Sequence, residues 1–342
     1  MIKKVTPGPV KNAYRLIRRR WQMLHFEEMP STIGFEMTSE CNAKCIMCAR
    51  RDSDHIAPKH MNFRILGKVV DEVMASGRER CFFNLTGLCE PLLYPKIVES
   101  VVYVKRRLPF SDVKIITNGI ALTKEMSLDL IQAGLDVISI SLNAGGKESY
   151  SWLTGVDKYD QVVANVMTLL KLRREMKKCR PAINLNFKIT DRTCREIKDA
   201  MNFWAKLMLP VDYLNASVIL NNYRESVDIR EIDSHYVPPT DRWPCQLLWG
   251  GIKLDIDGNI YPCDGKVMNY NYRSNSELLL GNIHQNSISE IYKKNKINAL
   301  RKLHLHNKYK ELPTCKGCES WRWYQNVWLK NSLPFFKKKK WF

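Results

Sequence analysis

The spacing of polar and apolar positions changes period repeatedly between residues 31 and 220. Short apolar runs at 32–37, 81–86, 113–117, 137–142, 183–189 and 213–220 read as strands. Between them, apolar residues recur every three or four positions over 65–74, 97–107, 124–133, 162–176 and 194–207, which predicts amphipathic helices. Strands and helices alternating over about 190 residues predict a parallel α/β sheet, either doubly wound or a partial barrel. In both, the chemistry sits at the carboxyl ends of the strands. Residues 221–243, with Pro238 and Pro239, read as a linker running into Pro244. Beyond it, Ile252, Leu254 and Ile256 alternate with Lys253, Asp255 and Asp257, and Asp257-Gly258 predicts a hairpin turn before Ile260 and Tyr261. Ser287 and Glu290 have the spacing of a capping box opening a helix through Ile291, Leu300 and Leu303. These later residues predict a small α+β appendage, not a second large domain.

Composition narrows the class. Apolar residues make up 45% of the 342, with nine Trp, which excludes a disordered chain. No stretch approaches the roughly 18 uninterrupted apolar residues of a membrane span, and no signal-peptide apolar region opens the chain. A cytoplasmic protein is expected. The net charge is +19, but it is uneven. Residues 1–20 hold seven Lys or Arg and residues 321–342 hold six, both without an acid. The remainder has 41 basic against 35 acidic residues, a net +6. Both ends mix bases with aromatics. Val10, Tyr14, Ile17, Trp21 and Leu24 form one helical stripe, and Lys337 through Lys340 lie between Phe335-Phe336 and Trp341-Phe342. Such ends suit peripheral contact with an anionic membrane surface, against the plainer expectation of a packed helix and a solvated tail. Nucleic acid is not an expected partner, because no RNA or DNA motif accompanies the charge.

Eleven cysteines without a secretion signal argue for metal or redox chemistry over disulfides. Three of them form Cys41-Asn-Ala-Lys-Cys45-Ile-Met-Cys48 just after the first strand. Three soft thiolates within eight residues can hold three corners of an iron–sulfur cube and leave one iron open. A closed zinc site would need a fourth ligand, such as His55 or His60.

With that motif the chain resembles the radical S-adenosylmethionine (SAM) superfamily. The resemblance implies a partial (βα)6 TIM-like barrel followed by a small C-terminal α+β iron–sulfur domain. It also implies a 4Fe–4S cluster on Cys41, Cys45 and Cys48, whose open iron chelates SAM. Electrons would come from a flavodoxin- or ferredoxin-like reductant. Reductive cleavage then gives methionine and a 5′-deoxyadenosyl radical that abstracts hydrogen from the substrate. Met47 stands where the family usually has an aromatic residue and is expected near the adenine. Thr86-Gly87-Leu88-Cys89-Glu90-Pro91 resembles the family's turn for the SAM amino group, with Cys89 replacing the usual Gly. Thr117-Asn118-Gly119 matches another turn near SAM, and Ser139, Ser141 and Asn143 stand where ribose and carboxylate contacts are usual. Asn186 and Lys188 are weaker candidates. The expected SAM-binding set is therefore Met47, Gly87, Cys89, Glu90, Asn118, Ser141 and Asn143.

Four further cysteines, Cys245, Cys263, Cys315 and Cys318, can close a tetrahedral zinc site or fully ligate a second 4Fe–4S cluster. Their position resembles the auxiliary-cluster domains called SPASM and, in shortened form, twitch. Four cysteines in place of seven resemble the shortened form, with one auxiliary cluster. The expected organisation is a basic amphipathic segment at 1–30, the barrel at 31–220, a linker at 221–243, the auxiliary domain at 244–324 and a basic aromatic tail at 325–342. Cys81, Cys179 and Cys194 are expected as buried structural thiols.

A fully ligated second cluster would carry electrons. The expected activity is thus a two-electron oxidation of a small polar substrate. A ribosomally made peptide is the alternative, disfavoured because only thirty residues precede the first strand. From another class comes a non-catalytic zinc or iron–sulfur protein docking on acidic membrane or nucleic acid. The general base is unassigned.

Overall fold

The computed structural model describes residues 29–50, 57–219, 228–234, 236–237, 242–263, 276–293 and 295–322. The expected N-terminal helix, the tail at 325–342, His55 and residues 221–227 and 238–241 of the linker lie outside the described residues. Among the described residues, no helix is long and apolar enough to cross a membrane.

All six strands of the first region form: β1 (Thr32–Phe35), β2 (Phe82–Leu85), β3 (Asp112–Thr117), β4 (Val137–Asn143), β5 (Ala182–Ile189) and β6 (Tyr213–Val218). They pair in parallel and in chain order. A doubly wound sheet reverses its strand order at a switch point. This one does not, and right-handed crossovers then put the intervening helices on one face. The winding is that of a barrel, and the doubly wound alternative falls away. The helices are α1 (Phe63–Ala75), α2 (Ile97–Arg107), α3 (Lys124–Gln132), α4 (Lys147–Thr154), α5 (Tyr159–Glu175) and α6 (Cys194–Ala205). Of these only α4 is absent from the sequence reading. Its eight residues bury just Tyr150, Leu153 and Thr154, too few to show a period.

One-sided covering explains the side-chain pattern of the sheet. Ile33, Phe35, Phe83, Leu85, Ile115, Ile138, Ile140, Leu185 and Phe187 are fully buried in the core cluster under the helices. The alternate positions Asn84, Lys114, Asn186, Lys188, Asn215 and Ser217 are only partly buried, while Gly34 and Ser139 on the same face are buried. They form a polar open face.

The later region departs from expectation in one respect. Its hairpin, β7 (Gly251–Leu254) and β8 (Asn259–Tyr261), is not a separate sheet. β7 pairs in parallel with β1, and β8 pairs antiparallel with β7 and β9 (Gly281–Asn282). The result is one nine-stranded sheet ordered β6-β5-β4-β3-β2-β1-β7-β8-β9. A Cβ at Gly251 would collide with the Thr32 carbonyl, so glycine is what permits β7 to approach. The Asp-Gly turn forms as predicted. Asp255 Oδ1 accepts from the amides of Asp257 and Asn259 at 3.0 and 2.9 Å, and Gly258 takes φ 80°. The capping box also forms, with Ser287 Oγ accepting from Glu290 N at 3.2 Å and Glu290 Oε2 accepting from Ser287 N at 2.9 Å. It opens α7 (Ile288–Lys293), which α8 (Asn295–Leu305) follows.

Candidate functional site

The carboxyl ends of β1 to β4 gather the first set of candidate residues. The Cys41–Cys48 loop leaves β1 and is pinned at its middle by the end of α4. Lys44 N donates to Thr154 O at 2.9 Å and Ile46 N to Leu153 O at 3.0 Å. Gly155 caps α4 at φ 71°, and a Cβ there would stand 2.6 Å from Lys44 O. Glycine is thus required where the helix end meets the cysteine loop. Cys48 N closes the loop on Cys45 O at 3.0 Å.

The three thiols sit close enough to feel one another. Burial pushes the Cys41 thiol up to about 11, against a nearby amide at Ala43, with Glu90 and Cys48 adding to the rise. Burial pushes Cys45 still higher, with Cys48 and Cys41 adding. Three thiolates here would be costly alone, and a bound cationic metal group reverses that cost. The donor set therefore fits an iron–sulfur cluster. His60 is turned elsewhere: Nδ1 lies 2.9 Å from Thr38 Oγ1 and Nε2 3.5 Å from Glu40 Oε1.

Glu90 joins the next two turns. Its Oε1 accepts from Thr117 Oγ1 at 2.6 Å and Leu92 N at 3.1 Å, and its Oε2 from Asn118 N at 2.7 Å. Asn118 Nδ2 in turn donates to Asn42 Oδ1 at 2.7 Å, in the cysteine loop. Beneath them Gly87 lies against Glu36, where a Cβ would stand 2.7 Å from Glu36 Cγ. Glu36 is fully buried and was missed from sequence. Its signal was there, since it follows Thr32 and Gly34 at period two along the open face. Asn143 ends β4 in the left-handed region, φ 67°, beside a register shift from Ser141. Cys89 is buried in the Gly87 turn. Met47 packs with Leu153, Ile219, Ile229 and Ile232 in a small apolar cluster of its own.

Burial pushes the Glu90 carboxyl up to about 7, against its three hydrogen bonds. A raised acid favours the folded state while it holds its proton. Stability is expected to fall as pH rises from about 4.5 to 7, by on the order of 3 kcal/mol for the cluster-free chain, and then to level off. Glu90→Gln should remove that slope in urea titrations over the same range.

The second set lies beyond β7. Cys245 N donates to His304 Nδ1 at 3.2 Å. Burial, then the Arg242 charge, pushes His304 down to about 4, so its ring is neutral and can accept. Arg242 donates to the carbonyls of Cys315 and Lys316 and lies over the Tyr309 ring. It thereby holds the Cys315–Cys318 knuckle. Cys318 N reaches back to Cys315 O at 3.2 Å, and Ser320 N donates to Cys318 Sγ at 3.5 Å. Burial pushes the Cys315 thiol up, with Cys318 and Cys245 adding. Cys263 stands at the end of β8 and lines a cavity on the open sheet face. Among the described residues, no three His, Cys, Asp or Glu side chains converge closely enough for a single metal ion. His304 and Arg242 were not legible from sequence, because they act through a backbone amide and carbonyls.

The radical SAM superfamily model matches residues 35–200, and the model of an iron–sulfur cluster-binding domain, SPASM, matches residues 245–319. The chain belongs to the radical SAM superfamily. A probable GTP 3′,8-cyclase of Saccharolobus islandicus is 27% identical over 205 residues, covering 58% of this chain and 62% of that relative. The GTP 3′,8-cyclase of Chlorobaculum tepidum is 31% identical over 130 residues, 38% of each chain. Among solved structures, BtrN in complex with AdoMet and 2-DOIA aligns with TM-score 0.53 and 18% identity, over 85% of this chain and 93% of that one. Streptococcus suis SuiB bound to S-adenosylmethionine aligns with TM-score 0.61 and 13% identity, over 99% and 84%. At these identities the solved structures speak for the fold alone.

A radical SAM domain binds a 4Fe–4S cluster and SAM, and a SPASM domain binds further iron–sulfur. One expectation about the remaining thiols needs correcting. Cys81 is buried, but Cys179 and Cys194 are exposed. Cys179 lies in the connection between α5 and β5, and Cys194 is the first residue of α6, whose buried stripe uses Ile197 and Trp204 instead.

Proposed function

We propose that this radical SAM enzyme is an oxidoreductase acting on a small polar substrate. Cys41, Cys45 and Cys48 would hold the SAM-binding cluster, and Cys245, Cys263, Cys315 and Cys318 one auxiliary cluster. With these groups bound, the first cluster would supply the electron for reductive cleavage of SAM, and the second would supply an acceptor for the electron left on a substrate that has lost one hydrogen atom and one proton. The chain's own residues hold and orient. The buried Glu90 ties the turns at Thr117 and Asn118 to the cysteine loop, which fixes the rim where SAM would lie. Gly87, Ser141 and Asn143 complete that rim.

The observation that carries this proposal is the open-face cavity of about 310 Å³, which Cys263 lines and which Lys253 links to the Gly87 turn by donating to Thr86 O. Its walls include Cys263 of the second cysteine set and Thr32, Phe82 and Gly251, the first residues of β1, β2 and β7. Its volume is near the lower end for small-molecule sites, roughly 300–1,000 Å³, which favours a small substrate over a peptide. A peptide is the second reading, supported by SuiB bound to its precursor peptide SuiA, which shares the fold over 96% of this chain. The test is anaerobic incubation of the iron- and sulfide-loaded chain with SAM and dithionite. Methionine and 5′-deoxyadenosine should appear in equal amounts; neither appearing would contradict the proposal.

A further inference from the structure

We propose that Arg242 and His304 are positioning residues of the second cysteine set. Their free N–H groups donate to the sulfur of an auxiliary iron–sulfur cluster and raise its reduction potential. This deepens the proposed function and rests on it for the presence of that cluster. His304 is the last residue but one of α8 and is fully buried. Its Nδ1 accepts from Cys245 N at 3.2 Å, so the ring carries its proton on Nε2. That Nε2 is buried and has no hydrogen-bond partner. Arg242 Nη1 donates to the carbonyls of Cys315 and Lys316, while its Nε is buried and likewise without a partner. The two side chains share Tyr309. The guanidinium stands 4.2 Å from its ring centroid, and the imidazole and phenol centroids are 5.9 Å apart. Together they bridge the main chains at Cys245 and Cys315, where the Cys315 thiol feels those of Cys318 and Cys245.

A buried donor without an acceptor is uncommon and costly, and here two of them flank one set of thiols. A tetrahedral zinc ion adds no acceptor atom to the four thiolates, whereas a 4Fe–4S cube adds four sulfides. The orphaned donors therefore fit an iron–sulfur cluster better than zinc. Four thiolates on a 2+ cluster give a net charge of about −2, and one further electron makes it about −3. Hydrogen bonds to its sulfur and the Arg242 cation both favour the more negative state, which raises the potential. A raised potential suits a cluster that takes an electron from the substrate, as the proposed oxidation requires. The Arg242 charge already acts in this sense on a ligand, working against the rise that burial imposes on the Cys315 thiol.

The test is an anaerobic potentiometric titration, followed by EPR, of the full chain with Cys41, Cys45 and Cys48 changed to Ala. Iron and sulfide then load the second set alone, and dithionite supplies the electron through redox mediators. In that parent, His304→Leu should make electron uptake tenfold or more less favourable, a fall of about 59 mV. Arg242→Met should do the same. His304→Gln, which keeps an acceptor and a donor, should stay closer to the parent than His304→Leu does. Histidine labelled with heavy nitrogen gives a second readout. Pulsed EPR of the reduced parent should show a histidine nitrogen coupled to the cluster, and this decides the matter if the variants fail to load iron. The inference is overturned if either loaded variant keeps the parent potential, or if no histidine nitrogen couples, which would leave water as the partner of these donors. Metal content is scored separately. Zinc in place of iron in the parent removes the auxiliary cluster and with it the proposed electron acceptor; iron with unshifted potentials removes this inference alone.

Discussion

Replacing Cys45 by Ala is expected to abolish 5′-deoxyadenosine formation, lowering it on the order of a thousandfold or more. Cys45 is held deeper than Cys41, and both neighbouring thiols oppose its ionisation in the free chain. That environment is hostile to a lone thiolate and suited to one bonded to iron. The substitution removes only the sulfur. The loop is anchored through the amides of Lys44 and Ile46 on Thr154 and Leu153, which Ala at position 45 leaves in place. Circular dichroism and melting of the cluster-free protein should match the wild type, while chromatography after incubation with SAM and dithionite finds no 5′-deoxyadenosine. Formation above a tenth of the wild-type rate would show that Cys45 is not a required ligand.

The second large effect is on stability, at the far end of the sheet. Asp212→Ala is expected to cost on the order of 3–5 kcal/mol. Arg173 of α5 grips Asp212 with two parallel bonds of 2.6 Å, and both side chains are buried. Arg173 also donates to Pro181 O at 2.9 Å, and Asp212 accepts from the amides of Ile183 and Leu209 at 2.8 and 2.7 Å. Removing the carboxylate strands a buried guanidinium and two backbone donors together. That triple loss is why the effect exceeds that of an ordinary hydrogen bond. By contrast, Lys147→Ala, which breaks exposed pairs with Asp157 and Asp160, should leave the urea midpoint unchanged. Equal midpoints for Asp212→Ala and the wild type would contradict the structural role given to this pair.

What the sequence revealed follows the range of the interaction concerned. Strands β1 to β6 and helices such as α2 were legible because burial under one helical layer writes a local period into the chain. The Cys41–Cys48 motif was legible because its three cysteines lie within eight residues of one another. β7 was recognised as a strand but not as a neighbour of β1, since 219 positions separate Thr32 from Gly251 and only the missing side chain at Gly251 hints at the contact. The row of Lys253, Gly34, Asn84 and Lys114 was hidden for the same reason: it exists only once the four strands β7, β1, β2 and β3 are in register. Glu36 was overlooked although its period-two position pointed to the open face. His304 and Arg242 carry no motif, because each holds a cysteine through the main chain.

The central claim is a SAM-binding cluster on one cysteine set and a separate iron–sulfur centre on the other. Iron and zinc content with Mössbauer spectroscopy, on anaerobically loaded chain with and without SAM, tests it most directly. The expected result is about eight irons per chain, with SAM altering the signal of one cluster and leaving the other unchanged. About four irons with zinc bound, or no cluster responding to SAM, would contradict it.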